Sequence, residues 1–241
     1  MYEIAIVIIL IILLIYIWEN KVKQGHLNTK YTPGNIYLHN LHQEDTDQAR
    51  ELVIEIKSRI SVLLEHLGKK YAISTLKNGV DPDRKNKIDQ IGTSSMYSEY
   101  DTAAQELEKR GVNREDLLER IRQLFENYDG NIYEISPTNK ENLTSYTENK
   151  VKLILCLRHK KPDADGIYKL HDINTMMFVV IHELTHVLND EYNHGPKFWA
   201  LFEFMLHNAV ECGVYKPEDY HKNNISYCGL NITYNPLYGP M

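Results

Sequence analysis

Two histidines and a glutamate dominate the chemistry that this chain can offer. They lie in His182-Glu183-Leu184-Thr185-His186, with a further histidine, His194, eight residues later. On a helix, positions i and i+4 share one face, so His182 and His186 can aim their imidazoles at a single metal ion. Glu183, one residue round from the first ligand, is placed to reach a water on that metal rather than the metal itself. This is the helical HExxH arrangement of zinc-dependent hydrolysis, with Glu183 as general base. A catalytic zinc takes three protein ligands and keeps one position open. His194 is the first choice for the third. Glu203, seventeen residues past His186, is the alternative, and Glu191, His207 and Glu211 are weaker ones.

These residues need two helices to position them. The run Thr175-Met176-Met177-Phe178-Val179-Val180-Ile181 leads into the motif and Val187-Leu188 follows it, with Asp172 or Asn174 as N-cap. Such a helix is apolar nearly all round and is therefore buried. Histidine and glutamate in a buried helix are costly unless paired or metal-bound. Residues 189–193 are polar and end the helix, and His194-Gly195-Pro196 forms a turn, with Pro196 suited to the first position of a second helix. Phe198, Trp199, Leu201, Phe202, Met205, Leu206, Ala209 and Val210 give that helix an apolar stripe, and Gly213 stops it. The turn can swing His194 back to the first helix.

The block from His182 to His186, then His194-Gly195-Pro196-Lys197-Phe198-Trp199, resembles the WLM and SprT-like zinc peptidases. Residues 151–158 are similar to the strand that precedes the active helix in that family, and the resemblance covers about residues 130–235. Small proteins of similar kind occur in large DNA viruses. The seven residues between His186 and His194 make a longer loop than compact WLM members have. The resemblance implies an α+β, zincin-like fold, Zn2+ on His182, His186 and His194, Glu183 as base, and a protein or peptide substrate. Tyr192, His207, His221 and Tyr227 are the candidate donors to an oxyanion. Residues 145–158 either offer a sheet edge to an extended peptide or form an ordinary strand pair. A second reading, from another class, is a structural or interaction protein, of a virion for instance, that keeps a zinc site without catalysis.

Residues 4–18 form an unbroken apolar run with Tyr16 and Trp18 near its end, which predicts one N-terminal transmembrane helix over residues 1–20. No basic residue precedes the run and no small-residue cleavage site follows it, against a signal peptide. Lys21, Lys23 and Lys30 follow it, so the positive-inside rule puts the rest on the cytoplasmic side of a cellular or viral membrane. Three cysteines without regular spacing predict no disulfide framework, although Cys212 and Cys228 could pair in a lumenal domain. The net charge of −6 is spread along the chain, and no basic patch with interleaved aromatics is present. Nucleic acid is therefore not an expected partner, whereas a membrane is. The expected organisation is a linker over 21–43, a helical lobe over 44–128 and a metallopeptidase core over 129–241, mostly helical with a small sheet. Within the lobe, an amphipathic helix over 44–67 is stopped by Gly68, and helices follow near 98–110 and 113–128. Residues 131–136 and 145–158 read as strands.

Overall fold

The structure is a computed structural model and describes residues 35–39, 43–71, 102–138 and 143–239. It is α+β. In chain order the elements are β1 (Ile36–Tyr37), α1 (Gln43–Lys70), α2 (Thr102–Lys109), α3 (Arg114–Asn127), β2 (Ile132–Glu134), β3 (Tyr146–Glu148), β4 (Lys152–Leu155), α4 (Ile173–Leu188), α5 (Pro196–Glu211), β5 (Ile225–Tyr227) and β6 (Leu230–Ile232). One correction concerns the membrane. Among the described residues no helix is long and apolar enough to cross a bilayer. The expected single-pass membrane localisation is set aside on that finding; the run at 4–18 on which it rested lies outside the described residues.

The heptad-like face of α1, with Ala49, Val53, Ile56, Ile60, Leu63, Leu64 and Leu67, is fully buried. It packs on α4 and α5, while α3 packs on α4 and α2 on α5. Contrary to the sequence expectation, α1 does not stop at Gly68. It continues to Lys70 because Tyr71, buried beyond it, reaches the Phe204 ring of α5 at 5.7 Å and Lys70 pairs with Glu211 at 2.7 Å. Tertiary packing there outweighs the helix-weakening effect of one glycine, about 1 kcal/mol.

The four-stranded sheet has the order β1-β2-β4-β3, with β1, β2 and β4 parallel and β3 antiparallel at the edge. Residues 145–158 thus contain a strand pair, β3 with β4. They turn back at Asn149 and Lys150, both at positive φ (52° and 58°), where Val151 N–H donates to Glu148 C=O. This conformation resembles the tight hairpin turn whose twist matches that of its strands. A second hairpin, β5–β6, turns through Cys228 (φ 48°) and Gly229 (φ 84°).

Cys228 is joined to Cys156 by a disulfide, and Cys212 is the free cysteine, its thiol pushed up to about 11 chiefly by burial. The expectation of no disulfide is corrected by this pairing. Two cysteines 72 residues apart give no local spacing signal, and the pairing follows from hairpin β5–β6 folding back against the end of β4.

Candidate metal centre

Asp172 caps α4, its side chain accepting from the N–H groups of Asn174 and Thr175. Three turns on, the helix presents His182 and His186 on one face. It ends at Asn189, and the chain then loops through residues 190–195 to Pro196 at the start of α5. The loop returns His194 to the first two histidines. Its Nε2 lies 3.0 Å from Nε2 of His186 and 3.0 Å from Nε2 of His182. Among the described residues these three form the one cluster of potential metal-binding side chains.

The arrangement fits a tetrahedral cation better than a hydrogen-bond network. A single ring nitrogen offers one hydrogen or one lone pair, so His194 Nε2 cannot serve both neighbours well. Three lone pairs converging on one point suit a metal, and tetrahedral Zn–N bonds of about 2.0–2.1 Å place their nitrogens about 3.3 Å apart. The rings are also held neutral, as ligands must be. Burial, then repulsion from the other two histidines, pushes His182 down to about 3. Burial, then His194 and Lys150, pushes His186 down to about 4, and burial lowers His194. Phe198 of α5 supplies that apolar setting, its ring 4.9, 4.5 and 4.6 Å from the rings of His182, His186 and His194.

Glu183 is buried beside this cluster, and burial raises its carboxyl to about 7, opposed by a hydrogen bond from Thr147. Thr147, on edge strand β3, has its hydroxyl 2.9 Å from the Glu183 carbonyl oxygen and 3.0 Å from Oε2. The same hairpin reaches the end of α4, where Lys150 Nζ donates to the carbonyls of Asn189 (2.6 Å) and Asp190 (2.9 Å). A cation suits that position, since carbonyl oxygens are exposed at a helix C-terminus. The loop is fixed from its other side by Arg120 of α3, which donates to Asp190 at 2.9 Å and to the Leu188 carbonyl. That bond holds Asp190 well below the usual carboxylate range. The longer loop before His194 is therefore anchored at its start by two cationic side chains.

The other sequence candidates lie elsewhere or at the rim. Glu203 pairs with Arg110 at 2.7 Å, His207 lies 4.0 Å from Glu203, and Glu211 pairs with Lys70. Glu191 and the 86 % exposed Tyr192 border the mouth of the cleft, whereas His221 stacks edge-on to Tyr234. Tyr227 alone of the four oxyanion candidates is buried and lines the cleft, with its hydroxyl hydrogen-bonded to Ser145 Oγ. Thr147, Lys150, Arg120 and the disulfide were not singled out from sequence. Each acts across a long sequence separation, and only the strand pattern around Thr147 hinted at its place.

The cleft itself is a cavity of about 730 Å³ between β3, α4, the 190–195 loop, α5 and hairpin β5–β6. The chain is similar to three viral proteins, each described as uncharacterized. One from Acanthamoeba polyphaga mimivirus is 39 % identical over 102 residues, 42 % of this chain and 48 % of that protein. One from Invertebrate iridescent virus 6 is 40 % identical over 76 residues, 32 % of this chain and 41 % of that one. One from Invertebrate iridescent virus 3 is 37 % identical over 90 residues, 37 % of this chain and 52 % of that one. The chain thus spans about half the length of these relatives or less. No protein-family model matches the chain, and no solved structure does.

His171 secures the cleft's hairpin wall. It is buried between the rings of His159 (4.1 Å) and Tyr227 (4.7 Å), and its Nε2 accepts from Cys228 N–H at 3.4 Å. Burial, then His159, pushes it down to about 4. In the unfolded chain it titrates near 6.5, so between those values the unfolded state binds the extra proton and stability falls as pH drops. The contribution is complete above pH 6.5 and is lost towards pH 4. In His171→Gln, the loss of unfolding free energy between pH 7 and pH 4.5 is expected to shrink by about 2 kcal/mol relative to wild type. Denaturant titrations at the two pH values measure it, and an unchanged pH dependence contradicts the assignment.

Proposed function

We propose that this chain is a zinc-dependent peptidase, with His182, His186 and His194 as ligands and Glu183 as general base. One observation carries the reading: three imidazole nitrogens converge beside a buried carboxylate, at the floor of a cleft that opens to solvent. Three protein ligands facing an accessible cavity leave a position free for chemistry, which favours catalysis over a closed structural site. The likeness of the motif block to WLM and SprT-like peptidases supports the same reading.

Zinc bound there supplies Lewis acidity, polarising a substrate carbonyl and drawing the pKa of a water toward neutrality. The chain's own groups do the rest. Thr147 holds Glu183 Oε2, so Oε1 accepts the water's proton and later returns it to the departing amine. Among the described residues β3 pairs only with β4, which leaves its outer edge to hydrogen-bond an extended peptide beside the histidines. Phe198 keeps bulk water from the back of the ligand cluster.

Metal analysis by mass spectrometry, with cleavage of an unfolded protein such as casein, tests this. The expected result is one zinc per chain, lost in His186→Ala, sharply weakened in His194→Ala and retained in Glu203→Ala. Cleavage should stop on chelation and return with zinc. Cleavage indifferent to both chelator and zinc would contradict the proposal.

A further inference from the structure

The cleft has two unlike halves. Near His186 and His194 lie Lys150, Glu191 and the exposed Tyr192. The apolar part of the lining is formed by Phe178 and Val179 of α4, Trp199 and Phe202 of α5, and Ile232 and Tyr234 of hairpin β5–β6 and the segment after it, where Asn231 and Thr233 are polar lining neighbours. Ring contacts join this half to the metal cluster. The His182 ring is 5.2 Å from Phe202 and 6.5 Å from Trp199; Phe202 lies 5.1 Å from Phe178, and Trp199 5.3 Å from Tyr234. Phe178 is in turn backed by Tyr220 at 4.8 Å, which gives the pocket a packed floor.

The exposure pattern along α4 points the same way. Past its first turn, the apolar residues Met176, Met177, Val180, Ile181, Leu184, Val187 and Leu188 retain at most 1 % exposure, whereas Phe178 and Val179 retain 6 % and 7 %. Those two are the apolar α4 residues that line the cavity, so their remaining accessible surface is cavity wall. Water against such walls lacks polar partners and is readily displaced by an apolar group. At the mouth, Tyr146 on β3 and Leu230 on β6 are exposed large side chains on opposite hairpins, suited to gripping the chain on either side.

We propose that Phe178, Val179, Trp199, Phe202, Ile232 and Tyr234 form the specificity pocket of the site, selecting polypeptides with a large apolar side chain next to the bond that is cut. The proposal rests on the peptidase reading. A peptide laid along β3 brings its carbonyl to the histidines, and the neighbouring side chain then meets the apolar wall beside His182. Acidic side chains are refused there, since none of the six residues carries a charge to pair with them.

The test uses zinc-loaded Glu183→Gln protein, full length, so that binding is read without turnover. Dipeptide hydroxamates share one metal-binding head group and differ in one side chain: hydrogen, methyl, isobutyl, benzyl or carboxymethyl. Calorimetry should give benzyl and isobutyl roughly ten- to hundredfold tighter binding than methyl, the range expected for added apolar groups in such a pocket, with carboxymethyl weakest. Val179→Trp, which fills the pocket from α4, should cut that ratio to below about threefold. Ile232→Trp fills it from the hairpin and serves if the helix variant does not fold. Equal, tight binding of all five overturns the pocket and leaves the metal site standing. No binding by any of them to zinc-loaded protein overturns both. A side-chain preference in a protein whose wild type cuts no peptide supports the pocket and overturns the peptidase reading.

Discussion

Replacing Glu183 by glutamine should lower peptide cleavage by roughly two to four orders of magnitude, the usual worth of a positioned general base, while zinc content and fold stay as in wild type. Glutamine keeps the length of the side chain and an oxygen for the Thr147 hydroxyl, so the hydrogen bond that ties helix α4 to strand β3 survives. What it cannot do is take a proton. The change also removes an ionisable group from a buried position, so stability should hold or rise slightly. Steady-state cleavage of a fluorogenic peptide beside metal analysis of the same sample measures both halves. Undiminished cleavage in this variant would sink the proposed role of Glu183.

The second large effect lies away from the cleft. Arg158, three residues past β4, and Glu134, at the end of β2, form an ion pair at 2.9 Å with side-chain exposures of 2 % and 0 %. Arg158 also donates to the Tyr168 carbonyl, and Glu134 Oε2 accepts from the His39 backbone N–H. The pair thus joins the sheet to the segment that leads into α4 and to the chain after β1. Arg158→Met strands a buried carboxylate and should cost about 3–5 kcal/mol. The double change Arg158→Met with Glu134→Leu removes both charges and should recover most of that loss, because apolar replacements of whole buried pairs are often neutral. Urea unfolding of the three proteins measures the coupling. Equal stability of wild type and Arg158→Met would show that the pair contributes nothing.

What the sequence made legible was local. The apolar run of 175–188 with its Asp172 cap, and the apolar stripe of 198–210 after Pro196, read directly as two helices, and the i, i+4 histidines needed only the first of them to share a face. The groups that organise the site from outside were not legible. Thr147 and Lys150 reach it because Asn149 and Lys150 adopt a left-handed turn without glycine, which splits residues 145–158 into a hairpin. Arg120 and Asp190 meet over 70 residues of separation, and nothing near either one announces the other. Glu203 was the alternative ligand by spacing alone, and it pairs instead with Arg110 in the turn after α2. The apolar pocket was hidden for another reason. Phe178, Val179 and Phe202 read in the sequence as core residues like their neighbours, and only the hairpin opposite them leaves a space.

The Cys156–Cys228 bond has a topological consequence. It closes a covalent ring across 72 residues, and that ring contains all of α4 and α5, hence His182, Glu183, His186 and His194. Closing a loop of this length removes denatured-state freedom amounting to about 4 kcal/mol in the chain-entropy account. The segment that carries the three histidines is therefore restrained by the covalent chain itself. The solvent-facing loops at 161–167 and 190–195 also lie inside the ring. A single nick in either one leaves both fragments tethered through sulfur.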